Sequence, residues 1–159
     1  MMDRKQWLDK LYYDIGKQQY DFRLNGLKKV DGEPKSTRWK KYSELVFPVD
    51  INESWKIDYI NNREILPNEI VIDLEERTTI RFIVKKLKKH KITFYVFDTG
   101  SRGYHIHIFG KRNYSNKEKM AFTKRFFGDE QKAYNGTTIA LEYAPHWKSN
   151  KIKRLIEWK

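Results

Sequence analysis

The apolar positions of this chain recur at two spacings, and the switches between them divide it into short elements. Trp7, Leu8, Leu11, Tyr12 and Ile15 form one stripe at intervals of three and four, which predicts a helix from Arg4 to about Gln18. Tyr20 to Leu24 alternates as a strand does, and Asp31-Gly32 predicts a tight hairpin returning through Thr37-Arg38-Trp39. The pattern weakens between Tyr42 and Asn62, where Trp55 to Ile60 is a candidate strand. Beyond Pro67 it sharpens. Glu69 to Glu75 reads as a strand, and Thr78 or Thr79 caps a helix that buries Ile80, Ile83, Val84 and Leu87. Its other side carries Arg81, Lys85, Lys86, Lys88 and Lys89. Ile92–Phe97 and Tyr104–Phe109 are strands joined by the turn Asp98–Gly103. Ser115 caps a helix to about Phe127 with Gly128 as its stop, and Thr137–Tyr143 and Lys151–Trp158 are two last strands.

The second half therefore reads β-α-β-β-α-β plus one strand, a ferredoxin-like or RRM-like order, and the fold class is α+β. A length of 159 residues suits one domain with a real core. A formal charge of +12 favours a polyanionic partner, nucleic acid above all. Aromatic residues at 15% exceed what packing needs, so some are expected at the surface, where they can stack on bases. No apolar run is long enough for a membrane span, and no signal-peptide pattern opens the chain. The chain has no cysteine, which excludes disulfides, thiolate zinc sites and cysteine catalysis and fits a reducing cytoplasm.

The candidate chemistry sits in two segments. Val71-Ile72-Asp73-Leu74-Glu75 places Asp73 and Glu75 on one side of an apolar strand, where paired carboxylates need a counter-charge that a divalent metal supplies. Thr99-Gly100-Ser101-Arg102-Gly103-Tyr104-His105 is a glycine-bearing turn whose hydroxyl, guanidinium and imidazole suit a polyphosphate. His105 and His107 share a strand face. His105 is the nearer to the turn, and His107 is a supporting or catalytic candidate. A third acid is expected, because two carboxylates seldom hold two metal ions. Glu142, the acid of the late apolar strand, is chosen over Asp129, which follows a helix. Lys153 and Arg154 lie just beyond, as cations for the triphosphate or the template.

Asp73-Leu74-Glu75, Ser101-Arg102-Gly103-Tyr104-His105, and an acid in a late strand followed by Lys153-Arg154-Leu155-Ile156 together resemble the archaeo-eukaryotic primase superfamily. Tyr20-Asp21-Phe22-Arg23 and Thr37-Arg38-Trp39 resemble its opening segment. The resemblance implies a small αβ module, about residues 1–66, packed on an RRM-like module, 67–159, with a catalytic cleft between them. It implies a primase or primase-polymerase that joins NTPs or dNTPs on a single-stranded DNA template, with two Mg²⁺ or Mn²⁺ ions held by Asp73, Glu75 and Glu142. Ser101, Arg102 and His105 become contacts to the incoming triphosphate, and a helicase or a large primase subunit becomes a possible partner. Arg38 and the helix lysines Lys85, Lys88 and Lys89 are the expected contacts to the strand. Without cysteines the zinc element of cellular primases cannot form, which points to a plasmid, viral or mobile-element type.

Two other readings compete. His105-Ile106-His107 also matches the metal site of rolling-circle nickases, with Tyr114 as nucleophile and Lys117 beyond it. A non-catalytic RRM-like module would instead bind RNA through aromatic residues on its sheet.

Overall fold

The computed structural model describes residues 2–16, 20–45, 60–74, 80–126 and 129–156. Helix α1 (Arg4–Lys10) starts at Asp3, whose side chain accepts from the Gln6 amide while Gln6 reaches back to the Asp3 amide, a reciprocal cap. It continues as one π-helical turn, Leu11–Ile15. The apolar stripe read from the sequence is the buried side: Trp7, Leu8 and Leu11 are in the core.

Strands β1 (Arg23–Asn25), β4 (Lys40–Lys41), β5 (Asn62–Glu64) and β9 (Thr138–Ala140) form one antiparallel sheet in the order β4-β1-β5-β9. Strands β2 (Leu27–Val30) and β3 (Glu33–Ser36) form the expected hairpin, which closes earlier than the sequence pattern suggests. Its turn places Asp31 at φ 52° and Gly32 at φ 80°, the left-handed pair that an Asp-Gly hairpin requires.

The second sheet contains β6 (Glu69–Leu74), β7 (Phe94–Asp98), β8 (Tyr104–Phe109) and β10 (Arg154–Ile156), ordered β10-β7-β8-β6 and antiparallel throughout. Helix α2 (Ile80–Lys89) follows β6, and α3 (Asn116–Arg125) follows β8, capped by Ser115 and Glu118 as a capping box. The molecule is thus α+β with antiparallel sheets. The late strand expected to complete the β-α-β-β-α-β order lies elsewhere: β9 pairs with β5 in the first sheet, so the division at residue 66 is crossed by the chain. That strand is also shorter than Thr137–Tyr143, because the backbone turns at Tyr143 with φ 63°. The candidate strand 55–60, apart from Ile60, and the cap at Thr78 or Thr79 lie outside the described residues, as do Phe127, Gly128 and the end of the last strand.

The two faces of the second sheet have different cores. Ile70, Ile72, Leu74, Val96, Ile106 and Ile108 pack with Ile80, Ile83, Val84 and Leu87 of α2 and with Phe126. Phe97, on the opposite face, packs with Trp7, Leu8 and Leu11 and with Phe22, Leu24 and Leu141. Trp7 is the centre of that contact, edge-on to Tyr95, Phe97 and Tyr143 at centroid distances of 5.4, 5.4 and 6.0 Å. Among the described residues, no helix is long and apolar enough to cross a membrane.

Trp7→Ala removes the side chain that joins α1 to the second sheet, and it is expected to cost about 3–5 kcal/mol, read as a drop in the urea midpoint. Trp7→Phe retains much of the edge-on packing and should cost less than half as much. An alanine variant within 1 kcal/mol of the parent would show that α1 is not part of the cooperative core.

Candidate functional site

Side-chain alternation along β6 and β8 brings the candidate residues together. Asp73 pairs in register with His105, and Val71 with His107, so Asp73, His105 and His107 share one face, as their spacing predicts. His105 Nε2 lies 3.4 Å from Asp73 Oδ1. The turn after β7 ends beside them. Its fold is fixed by Thr99, whose hydroxyl donates to the Arg102 carbonyl at 2.9 Å and accepts from the Ser101 amide at 3.2 Å. The Gly100 amide donates to Asp98 at 2.9 Å.

A second loop, residues 146–151, packs on this turn. Ser149 Oγ donates to the Gly100 carbonyl at 2.8 Å. Gly100 has φ 78°, and a Cβ there would stand 2.7 Å from the Lys151 carbonyl oxygen, so the contact requires glycine on both counts. Between turn, loop and strands lies an open cleft of about 580 Å³, lined by Asp73, His105, Thr99, Ser101 and Arg102. His146, Trp147 and Lys148 of that loop complete its lining.

Burial works to raise the Asp73 pKa, but the bond to His105 and the nearby Lys132 and Lys153 ammonium groups outweigh it, so Asp73 stays ionised. His105 is pushed down to about 3, first by burial and then by the Lys153 charge, with Asp73 only partly offsetting them. At neutral pH the imidazole is uncharged. Its Nε2–H is the group that faces Asp73, and Nδ1 is buried with no hydrogen-bond partner among the described residues.

Glu142 and Lys153 are not in this cleft, contrary to expectation. They belong to a buried ionic network that links the two sheets. The Arg63 guanidinium spans two carboxylates, reaching Glu69 at 2.8 and 2.7 Å and Glu142 at 3.0 and 2.6 Å. Arg63 and Glu142 are both fully buried. His107 lies 2.6 Å from Glu69 through Nδ1 and accepts from Lys153 through Nε2 at 3.0 Å. Lys153 also donates to the Ala140 carbonyl at 2.8 Å. Because Lys153 donates to Nε2, the proton of His107 sits on Nδ1 and the ring is neutral, in keeping with a pKa lowered first by burial and then by Lys153. Burial pushes the Lys153 ammonium down to about 8. Burial would raise both carboxylates, but Arg63 holds Glu69 and Glu142 well below the usual range.

The donor atoms of Glu69, His107 and Glu142 lie within 4.8 Å of one another, and such a group could hold a metal ion. Here the guanidinium of Arg63 and the ammonium of Lys153 already balance the two carboxylates. A divalent cation would have to displace Arg63, so the network reads as structural.

The other expected residues are scattered. Glu75 lies outside the described residues. The alternative third acid, Asp129, is close to Asp73 by backbone, its amide donating to the Asp73 carbonyl at 3.3 Å, while its side chain caps the turn that follows. Arg154 is exposed and stands opposite Asp98 in β10. Lys85, Lys88 and Lys89 are exposed on α2, across the sheet from Asp73, because the apolar side of that helix packs on the aliphatic face. Arg38 is exposed beside Trp39, over which Arg23 lies at 5.4 Å.

Tyr114 belongs to the far end of β8. Its hydroxyl packs against Gly110, in the space a Cβ there would take, and Gly110 is five residues beyond His105, about 16 Å along a strand. Lys117 is exposed on α3. Arg63 was hidden in a stretch without periodicity. Glu69 had a readable signal, since it shares the period-two side of Asp73. Trp147 and Lys148 had none. Comparisons with protein-family models, with curated proteins and with solved structures found no match.

Arg63→Met removes the guanidinium that bridges Glu69 and Glu142, leaving the Lys153 ammonium 3.7 Å from Glu142 to face both carboxylates, and is expected to cost about 3–5 kcal/mol in chemical denaturation. Glu142→Gln keeps an acceptor for Arg63 and should cost less; a methionine variant of parental stability would refute the network's role.

Acid should also destabilise the protein through His105. Its pKa is about 3 in the fold against an ordinary 6.5, so the unfolded chain binds more protons between those values. Stability is therefore full above about pH 6.5 and falls as the pH drops through that window, by roughly 2 kcal/mol between pH 7 and 5 from this residue alone. Urea unfolding in chelator-containing buffer at the two pH values measures it. In His105→Gln that part of the difference should vanish; an unchanged difference would mean that other groups carry it.

Proposed function

We propose that the chain is a metal-dependent nucleotidyltransferase of the primase or primase-polymerase kind, joining nucleotides on a single-stranded template. The observation that carries this reading is the ionised Asp73 held in register beside His105, in one cleft with Ser101 and Arg102. A hard, anionic oxygen donor at the rim of an open cleft fits Mg²⁺ or Mn²⁺, and the net charge of +12 fits a polyanionic substrate.

Asp73 would hold the metal, with Glu75 as the second ligand by its sequence spacing. A divalent ion there lowers the pKa of an attacking hydroxyl and offsets charge on a triphosphate. The chain's own residues do the positioning. Arg102 presents a planar fork of donors that matches phosphate oxygens, and Ser101 adds a hydroxyl at the same turn. His105, buried and neutral, aims Asp73 through Nε2 and so acts as a positioning residue. Catalysis in such a site comes from alignment and charge stabilisation.

Specific observations weigh against the rivals. A two-histidine metal site needs free ring nitrogens, and both of those on His107 are engaged, by Glu69 and Lys153. Tyr114 is at the wrong end of β8 to serve as nucleophile there. Sheet-face RNA binding needs exposed aromatics, whereas Tyr95, Phe97 and Phe109 pack against the core that contains α1.

The test is incorporation of labelled NTPs or dNTPs on single-stranded template with Mg²⁺ or Mn²⁺, primed and unprimed. Asp73→Asn should lower incorporation roughly a hundredfold or more with the melting temperature retained. Arg102→Ala should raise KM for the nucleotide. A protein that incorporates nothing under any of these conditions, or an Asp73→Asn variant of full activity, would overturn the proposal.

A further inference from the structure

The part of the cleft lining that comes from residues 146–148 has no part in the chemistry described so far. His146, Trp147 and Lys148 project from a loop fixed at several points. The His146 amide donates to the Lys151 carbonyl at 2.8 Å, and the Asn150 amide to the His146 carbonyl at 2.8 Å. The Lys148 amide donates to His146 Nδ1 at 3.2 Å. Asn150 turns the chain with φ 58°, and Ser149 ties the loop to Gly100. A half-buried tryptophan is thereby held on a tied loop in the lining of the same open cleft as a serine and an arginine. Its ring is near-parallel to His146, at 6.5 Å and 22°, and carries the Lys148 ammonium at 5.0 Å from its centroid.

We infer that Trp147 is the platform on which the base of an incoming nucleoside triphosphate stacks, with Lys148 and Arg102, which line the same cleft, taking its phosphates. This rests on the nucleotidyltransferase reading and adds to it the residue that tells a nucleotide from a bare polyphosphate. An aromatic face covered by one flexible lysine is available to a flat base, and the ammonium remains within reach of the phosphates. Stacking accepts any base, as a template-directed enzyme requires, because every base has a π-face. About 580 Å³ is room for a nucleotide-sized ligand. The Ser149–Gly100 tie sets the spacing between platform and phosphate turn, so Gly100 positions both.

The experiment compares ATP, dTTP and inorganic tripolyphosphate, each with Mg²⁺, by calorimetry on the full chain and on Trp147→Leu, Trp147→Phe and Arg102→Ala. Trp147→Leu keeps an apolar side chain and removes the flat face. It should weaken both nucleotides roughly ten- to a hundredfold and leave tripolyphosphate within about twofold. Trp147→Phe should recover most of the loss, and Arg102→Ala should weaken all three ligands. Equal losses for nucleotides and tripolyphosphate in Trp147→Leu, or no loss, would overturn the inference. So would a loss confined to labelled single-stranded DNA, which would make the ring a template contact. Should Trp147→Leu melt early, Trp147→Phe decides: a loss of nucleotide as large as that of leucine refutes stacking. These are binding measurements, so they stand whether or not incorporation is observed. Base-dependent binding without turnover would sink the enzymatic reading alone, while turnover with a base-blind Trp147 would sink this inference alone.

Discussion

The structure depends on Arg63, a buried cation shared by two buried carboxylates. Its guanidinium lies on β5 of the first sheet, Glu69 on β6 of the second, and Glu142 just after β9. A guanidinium with two occupied edges has one compatible arrangement of its partners, so the two sheets meet in one geometry. Hydrophobic burial alone would tolerate sliding between the layers. A network in which Arg63, Glu69, His107, Lys153 and Glu142 each need their partner does not. Such clusters add little net stability over apolar packing and are best understood as devices of specificity, which here is registration of one sheet on the other.

Glu69 and Asp73 show how position along one strand decides chemistry. They share a face of β6 and carry the same functional group. Glu69 is fully buried, and Arg63 and His107 satisfy it. Asp73 lies at the other end, where cover stops; its side chain is 23% exposed and faces a neutral imidazole across the ladder. A carboxylate sealed with an arginine is neutralised and inert. One left ionised at the rim keeps its lone pairs for a ligand. His107 and His105 divide in the same way, the first locked between Glu69 and Lys153, the second lining the cleft.

Some of this is legible in the sequence alone. The helical stripe of Trp7, Leu8 and Leu11, the Asp31-Gly32 hairpin and the buried side of α2 follow from local rules of period, turn chemistry and capping, and the structure has all of them. Period-two alternation put Asp73, His105 and His107 on one face, and the register confirms it. The glycine turn with Ser101 and Arg102 stands in the same cleft. Each of these rests on contacts between residues near in sequence, or on alternation that any pairing of two strands preserves.

What the sequence could not decide was which layer each element joins. An acid in a late apolar strand looks the same whether that strand lies beside β6 or beside β5. Pairing with β5 turned Glu142 from an expected metal ligand into the partner of Arg63, 79 residues away. Lys153 went with it, buried by the same packing. Likewise α2 shows a basic side in sequence, but only the tertiary structure puts that side across the sheet from Asp73. Trp147 and Lys148 have no periodic signal, because a loop is placed by what it is tied to, here Gly100 through Ser149. Local periodicity fixes what a residue's own strand or helix does with it. Long-range pairing, which no local pattern encodes, decides whether a charged side chain ends up sealed against a counter-charge or left at an open rim.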